Sequence, residues 1–278
     1  MRHPPMHHER GQGSTMTSAM KDCKEENLRF RARKVRLFRG GDGPPLLFLH
    51  DTFCPLWLPI HQILAEHYEV VVPLHPGCAG SEDGFPQFEE MEDLVFHYLD
   101  VCATLHLDHP VVAGASFGGW IAAEWAMRYS RTLRAVILID ALGLRVREAP
   151  APDILSLDPA ASRQAIFADP SSALALEVIP ETPKPEEVVS VLLARQTLAR
   201  FAWQFPDNPR LLQYLYRIEA PTLILWGERD GFVSVAHGKA YHEGIAGSEL
   251  VVVPNSGHLP HVESTGTCAQ TMLKFLNK

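Results

Sequence analysis

With 278 residues, 46% of them apolar, the chain can bury a large core; its length suits one domain with an insertion or two small domains. A formal net charge of −8, with 21% charged residues and no dominant basic stripe, excludes a nucleic-acid binder. No run of about twenty apolar residues occurs, so no membrane span is expected. Arg, His and Pro occupy the N-terminal positions where a signal peptide needs an apolar segment.

In chain order, residues 1–27 are polar and lack periodicity, which predicts a disordered tail. From Arg33 onward, short apolar runs alternate with helical patterns. Residues 34–38 read as a strand, 40–43 as a glycine turn, and 46–49 and 69–72 as further strands. A helix over 90–105 carries Met91, Leu94, Tyr98, Cys102 and Leu105 on one stripe. Strands follow at 111–113, 135–139, 222–226 and 250–253, with helices at 118–129 and 267–276. Unbroken Val/Ile/Leu runs mark strands covered on both faces, so the fold class is α/β: a doubly wound, mostly parallel sheet with right-handed crossovers.

The rhythm breaks over residues 143–219, which hold seven spaced prolines between Pro150 and Pro185 and then a helical run over 186–205. This predicts a helical cap inserted between two strands, lying over the strand ends where open α/β sheets bind ligands. The core is then 28–142 with 220–278. Phe201, Trp203, Phe205, Tyr214 and Tyr216 are candidate pocket residues, and their expected role is to pack the cap onto the sheet.

The five cysteines, Cys23, Cys54, Cys78, Cys102 and Cys268, are odd in number and widely spaced. They argue against a disulfide framework and fit a reducing, cytoplasmic compartment. The fourteen histidines suggest a metal, but His3, His7 and His8 fall in the tail and His106 and His109 straddle a loop, so no metal is expected. No phosphate-binding glycine pattern opens the first βα unit, so no cofactor is expected either.

Gly114-Ala115-Ser116-Phe117-Gly118 carries the chemistry. It fits G-x-S-x-G after a buried strand and before a helix. A nucleophile on so sharp a turn needs tiny residues two positions either side, and the helix N-terminus aims N–H groups at developing negative charge. A serine hydroxyl needs a base. His258, after the last strand and preceded by Gly257, is the candidate, with His261 its rival. The imidazole needs a carboxylate, expected at Asp230 after the strand 222–226; Asp140, ending 135–139, competes, and Glu228 is read as a solvated charge. The oxyanion hole is expected from the backbone N–H groups of Phe117 and Thr52, with Phe53 next, while His50 is read as ordering its loop.

These residues resemble the α/β-hydrolase superfamily, in its arm of capped serine esterases, over roughly residues 33–278. Leu49-His50, Leu74-His75-Pro76-Gly77-Cys78-Ala79-Gly80-Ser81, the serine motif through Gly119, Gly227-Glu228-Arg229-Asp230 and Gly257-His258 carry the likeness. Three positions depart from it. Family members usually have Gly where Asp51 stands and Asp where Leu74 stands. Members that cleave carbon–carbon bonds of ring-fission products often have Trp where Leu259 stands, and members with an Asp nucleophile lack a counterpart of Ser116. The resemblance implies hydrolysis of a small-molecule carboxylic ester through an acyl-enzyme. Alternatives are a carbon–carbon hydrolase, a cofactor-free lyase or peroxidase on the same residues, or a non-catalytic ligand-binding protein.

Overall fold

Short apolar runs with no polar alternation are stable only where both faces are covered, and this chain's runs become the middle of one sheet. The computed structural model of the chain describes residues 23–54, 56–83, 85–203 and 206–278. Its strands are β1 (Lys24–Phe30), β2 (Arg33–Gly40), β3 (Pro45–Leu49), β4 (Glu69–Pro73), β5 (Val111–Ala115), β6 (Ala135–Ile139), β7 (Thr222–Gly227) and β8 (Glu249–Val253). They run in the order β1-β2-β4-β3-β5-β6-β7-β8. β2 is antiparallel to both β1 and β4, and every other pairing is parallel. Every residue of β5, β6 and β7 is buried.

The helices on the core are α1 (Pro59–Leu64), α2 (Met91–Leu105) and α3 (Phe117–Tyr129). Between β6 and β7 come α4 (Pro159–Ile166), α5 (Ala173–Val178), α6 (Val188–Ala202) and α7 (Leu211–Tyr214). α8 (Val235–Gly244), α9 (Pro260–Glu263) and α10 (Thr265–Leu276) follow in the C-terminal part. The regular elements of the described part of the β6–β7 insertion are helices, joined by irregular segments and one isolated bridge between Gly143 and Asp207. Local chemistry starts two of its helices: the Asp158 carboxylate accepts from the Ala161 N–H at 2.8 Å ahead of Pro159, and the Ser172 hydroxyl accepts from Ala175 at 3.2 Å. The insertion is tied to the core by Thr197 Oγ1 donating to the Pro76 carbonyl at 3.1 Å and Arg200 Nε to Phe88 at 2.8 Å.

Two expectations change. The tail predicted to reach Asn27 yields to β1 at Lys24, because this polar stretch is a sheet edge: Leu28 pairs with Val35, and Glu25 takes a 2.8 Å ion pair from Arg36. Residues 1–22 lie outside the described residues, as does Phe205. Of the candidate aromatics, Phe201 packs on Phe117 with ring centroids 5.8 Å apart, but Trp203 and Tyr216 are 70% and 67% exposed and pack nothing onto the sheet. Tyr214 is half-buried, its hydroxyl 3.5 Å from Arg210 Nη2.

α2 carries a buried imidazole in an aromatic cage. His97 has ring centroids 5.6, 5.4 and 5.0 Å from Phe30, Phe88 and Tyr98, and neither ring nitrogen has a hydrogen-bond partner. Burial, then the nearby Arg33 charge, pushes its pKa from 6.5 down to about 3. Between those values the unfolded chain binds the extra proton. The stabilisation is therefore complete above pH 6.5 and falls as pH drops toward 3, by up to about 1.4 kcal/mol per pH unit for one such group. Phenylalanine at 97 fills the same cage without the orphaned nitrogens. His97→Phe is expected to keep or raise the melting temperature near neutrality and to flatten its decline below pH 6.5; an equally steep decline excludes His97 as a cause.

Candidate active site

The register delivers the chemistry to one edge. Leu49 of β3 lies beside Gly114 of β5, Ala115 beside Ile139 of β6, and Gly227 of β7 beside Val253 of β8. The residues that follow these strands therefore share the sheet's C-terminal edge, where crevices form in open α/β sheets.

Ser116 sits at the β5–α3 junction with φ 52° and ψ −115°, a conformation a side chain enters only under strain. The surroundings hold it there: the Ser116 N–H donates to the Ile139 carbonyl at 2.9 Å, and its own carbonyl accepts from Trp120 and Leu142 at 3.1 Å each. The glycines are steric requirements. A Cβ on Gly114 would strike the Gly118 carbonyl, and one on Gly118 would strike that of Leu49.

Ser116 Oγ is 2.7 Å from His258 Nε2, and His258 Nδ1 is 2.8 Å from Asp230 Oδ2. A carboxylate oxygen only accepts, so Nδ1 carries the hydrogen and Nε2 offers its lone pair to the hydroxyl. Asp230 is fixed in turn, since its Oδ1 accepts from the N–H groups of Phe232 at 2.8 Å and Val233 at 2.9 Å. The Phe232 ring stands edge-on to the imidazole at 4.9 Å. The His258 N–H donates to Ile166 of the insertion at 2.7 Å. Ser116, His258 and Asp230 are all buried.

The rival candidates fare differently. His261 faces Asp51, its Nε2 3.1 Å from Asp51 Oδ2, rather than Ser116. Asp140 does reach the site. It has φ 41°, its Oδ1 accepts from the Gly227 N–H at 2.8 Å, and its Oδ2 has no partner. Burial first, then the Asp230 charge, raises its pKa well above the carboxylate range. Asp140, Asp230 and His258 each bring a ligand-type atom within 4.8 Å of the others. Asp230 has both oxygens committed to N–H donors, and His258 Nδ1 carries a hydrogen, so this set is a hydrogen-bonded relay rather than an open cage for a cation.

Phe117 opens α3, where first-turn N–H groups have no acceptor within the helix. On the opposite loop, Asp51 Oδ1 accepts from Phe53 N–H at 2.6 Å and Cys54 N–H at 2.7 Å, while the Thr52 N–H has no partner among the described residues. His50 orders this loop. Its Nε2 accepts from the His75 N–H at 3.0 Å, and its carbonyl accepts from His75 Nε2 at 2.7 Å. His75 Nδ1 then accepts from the Tyr98 hydroxyl. Burial holds both imidazoles below their usual pKa and hence neutral, as this relay requires.

Sequence reasoning misses two supports. Glu263 accepts from the Ala168 N–H at 2.9 Å and the Gly257 N–H at 2.6 Å, linking the insertion to the turn before His258. Asp51 stands out in the sequence only as a departure. Neither carries a local signal, because each acts across loops far apart in sequence.

A sheet of this order with its nucleophile-type serine on a strand–helix elbow defines the α/β-hydrolase fold. Residues 46–271 match the sequence profile of the alpha/beta hydrolase family, and the chain belongs to that family. A monoacylglycerol lipase of Bos taurus is 24% identical over 86% of this chain and 77% of its own length. Among solved structures, a putative lipase from Acinetobacter baumannii AYE superposes with TM-score 0.75, 22% identity and coverage of 97% of this chain and 98% of that one. A 2-hydroxy-6-oxo-6-phenylhexa-2,4-dienoate hydrolase from Rhodococcus sp. strain RHA1 gives TM-score 0.76, 18% identity and coverage of 92% and 99%. Among the described residues no helix is long and apolar enough to cross a membrane.

Proposed function

We propose that this chain is a serine hydrolase that cleaves carboxylic esters of small molecules through an acyl-enzyme intermediate, with Ser116, His258 and Asp230 as its catalytic triad. The observation that carries this reading is the continuous relay from the Ser116 hydroxyl through His258 to Asp230, at 2.7 and 2.8 Å. Ser116 Oγ attacks the acyl carbonyl while His258 Nε2 takes its proton. Asp230 stabilises the imidazolium and keeps its tautomer. The tetrahedral oxyanion is held by the Phe117 and Thr52 amides. The imidazolium then returns the proton to the departing alkoxide, and the ester C–O bond breaks. Water, deprotonated by His258, attacks the acyl carbonyl; the imidazolium then returns that proton to Ser116 Oγ as the acyl C–Oγ bond breaks, releasing the acid and restoring the free hydroxyl. Burial of the relay under the insertion, read as a cap, keeps bulk water from competing with these bonds. Four buried thiols outside any disulfide, Cys54, Cys78, Cys102 and Cys268, support a reducing, cytoplasmic setting.

A fluorophosphonate probe tests the reading directly. The expected result is a single labelled peptide containing Ser116, with hydrolysis of a p-nitrophenyl ester series lost in step with labelling; a label elsewhere, or none, rejects it. The carbon–carbon hydrolase reading draws on the Rhodococcus neighbour, whose fold this chain shares. Leu259 opposes it, standing where members with that activity often carry Trp. Faster turnover of a vinylogous diketone than of any aryl ester would favour it over ester cleavage.

A further inference from the structure

Asp51 and His261 are separated by 210 residues, yet their side chains meet with no solvent exposure, Asp51 Oδ2 lying 3.1 Å from His261 Nε2. The partner on each side matters. Asp51 opens the loop after β3, and its second oxygen takes the Phe53 and Cys54 amides. Of the three amides that follow Asp51, only that of Thr52 is left without an acceptor among the described residues. His261 belongs to α9, three positions beyond His258, and the Leu259 carbonyl between them accepts from Val262 at 2.9 Å. The two histidines therefore share one short, hydrogen-bonded segment.

We infer that Asp51 and His261 are positioning residues: their pair clasps the loop that presents the Thr52 amide to the segment that presents His258, fixing oxyanion donor and general base relative to each other. The inference rests on the serine-hydrolase reading above. The Asp51 carboxylate leaves Thr52 as the open donor by occupying its neighbours, and His261 holds that carboxylate against the base's own segment. A glycine at 51, as the resemblance leads one to expect, could do neither. Ionisation of Asp51 is consistent with this. Burial alone would raise its pKa, but the hydrogen bond and charge of His261, then His50 and the Cys54 amide, hold it at about 2. A carboxylate can only accept, so His261 Nε2 carries the hydrogen of the bond.

A buried pair that serves only stability predicts something different, so the test separates the two. The double variant Asp51→Ala/His261→Leu removes the clasp without leaving a lone buried charge. It is assayed on a p-nitrophenyl ester and by amide hydrogen exchange over residues 49–54. The expected result is kcat lowered by about 30- to 100-fold at a KM within about twofold, the scale of a misplaced oxyanion donor. Exchange across residues 49–54 should rise. His261→Gln keeps a nitrogen donor at nearly the same place and should retain kcat within about threefold. A folded double variant with wild-type kcat, or with unchanged exchange over 49–54, overturns the clasp. If the double variant does not fold, Asp51→Gly replaces it, which removes both the acceptor of the Phe53 and Cys54 amides and the partner of His261, and an unchanged kcat there overturns the clasp equally. Ser116→Ala runs in parallel. Turnover that survives it defeats the hydrolase reading, and the exchange measurement then decides the clasp by itself.

Discussion

Alanine at Ser116 lowers turnover of short p-nitrophenyl esters by at least about 10³-fold, because it removes the one hydroxyl within 2.7 Å of the imidazole. The change deletes a single oxygen and keeps Cβ, so the elbow at φ 52° and its three backbone hydrogen bonds persist. The melting temperature is accordingly expected to hold. Residual activity reflects the oxyanion donors and substrate binding alone. Steady-state kinetics beside a thermal melt check both halves; near-unchanged turnover in a folded variant removes Ser116 from the proposed chemistry.

The second large effect concerns the acid. Removing Asp230 strips His258 Nδ1 of its acceptor, a change that costs about 10⁴-fold when nothing replaces it. Here Asp140 stands ready, within 4.8 Å of the same cluster. Its raised pKa comes from burial and from the Asp230 charge, so deleting that charge lowers the pKa again. Burial remains, and ionisation therefore grows as the solution becomes alkaline. Asp230→Ala is expected to retain about 10- to 100-fold more activity than Asp140→Asn/Asp230→Ala, with the surplus rising with pH. Equal pH–rate profiles for the single and double variants would show that Asp140 lends no support.

What can be read in the sequence is what is local or repeated. The Gly114–Gly118 turn is visible because steric need writes itself into adjacent residues. β5, β6 and β7 are visible because double-sided burial makes unbroken apolar runs. His258 and Asp230 follow from strand ends. Other features depend on distant partners. β1 is hidden because an edge strand with one solvated face looks like any polar stretch, and only its pairing with β2 reveals it. α8 escapes because Gly238 and two histidines blur its helical pattern; the glycine is there because a Cβ would press on the Trp226 indole. Asp51 reads as a blemish until the fold brings His261 to it. Trp203 misleads in the opposite sense, since an aromatic at helical spacing predicts burial and this one faces water.

The two borders of the sheet differ in kind. β1 ends it with Lys24, Glu25, Glu26 and Arg29, charges that make the border a poor template for a neighbouring strand. β8 ends it with Leu250, Val251 and Val252, the last 40% exposed, and its charge sits at Glu249, tied to Lys278 at 2.6 Å. Self-association on heating should therefore begin at the β8 border. Val252→Lys is expected to raise the temperature at which light scattering appears, whereas a charge-neutralised β1 lowers it less than a neutralised Glu249–Lys278 pair; the reverse ranking would place the vulnerable border at β1.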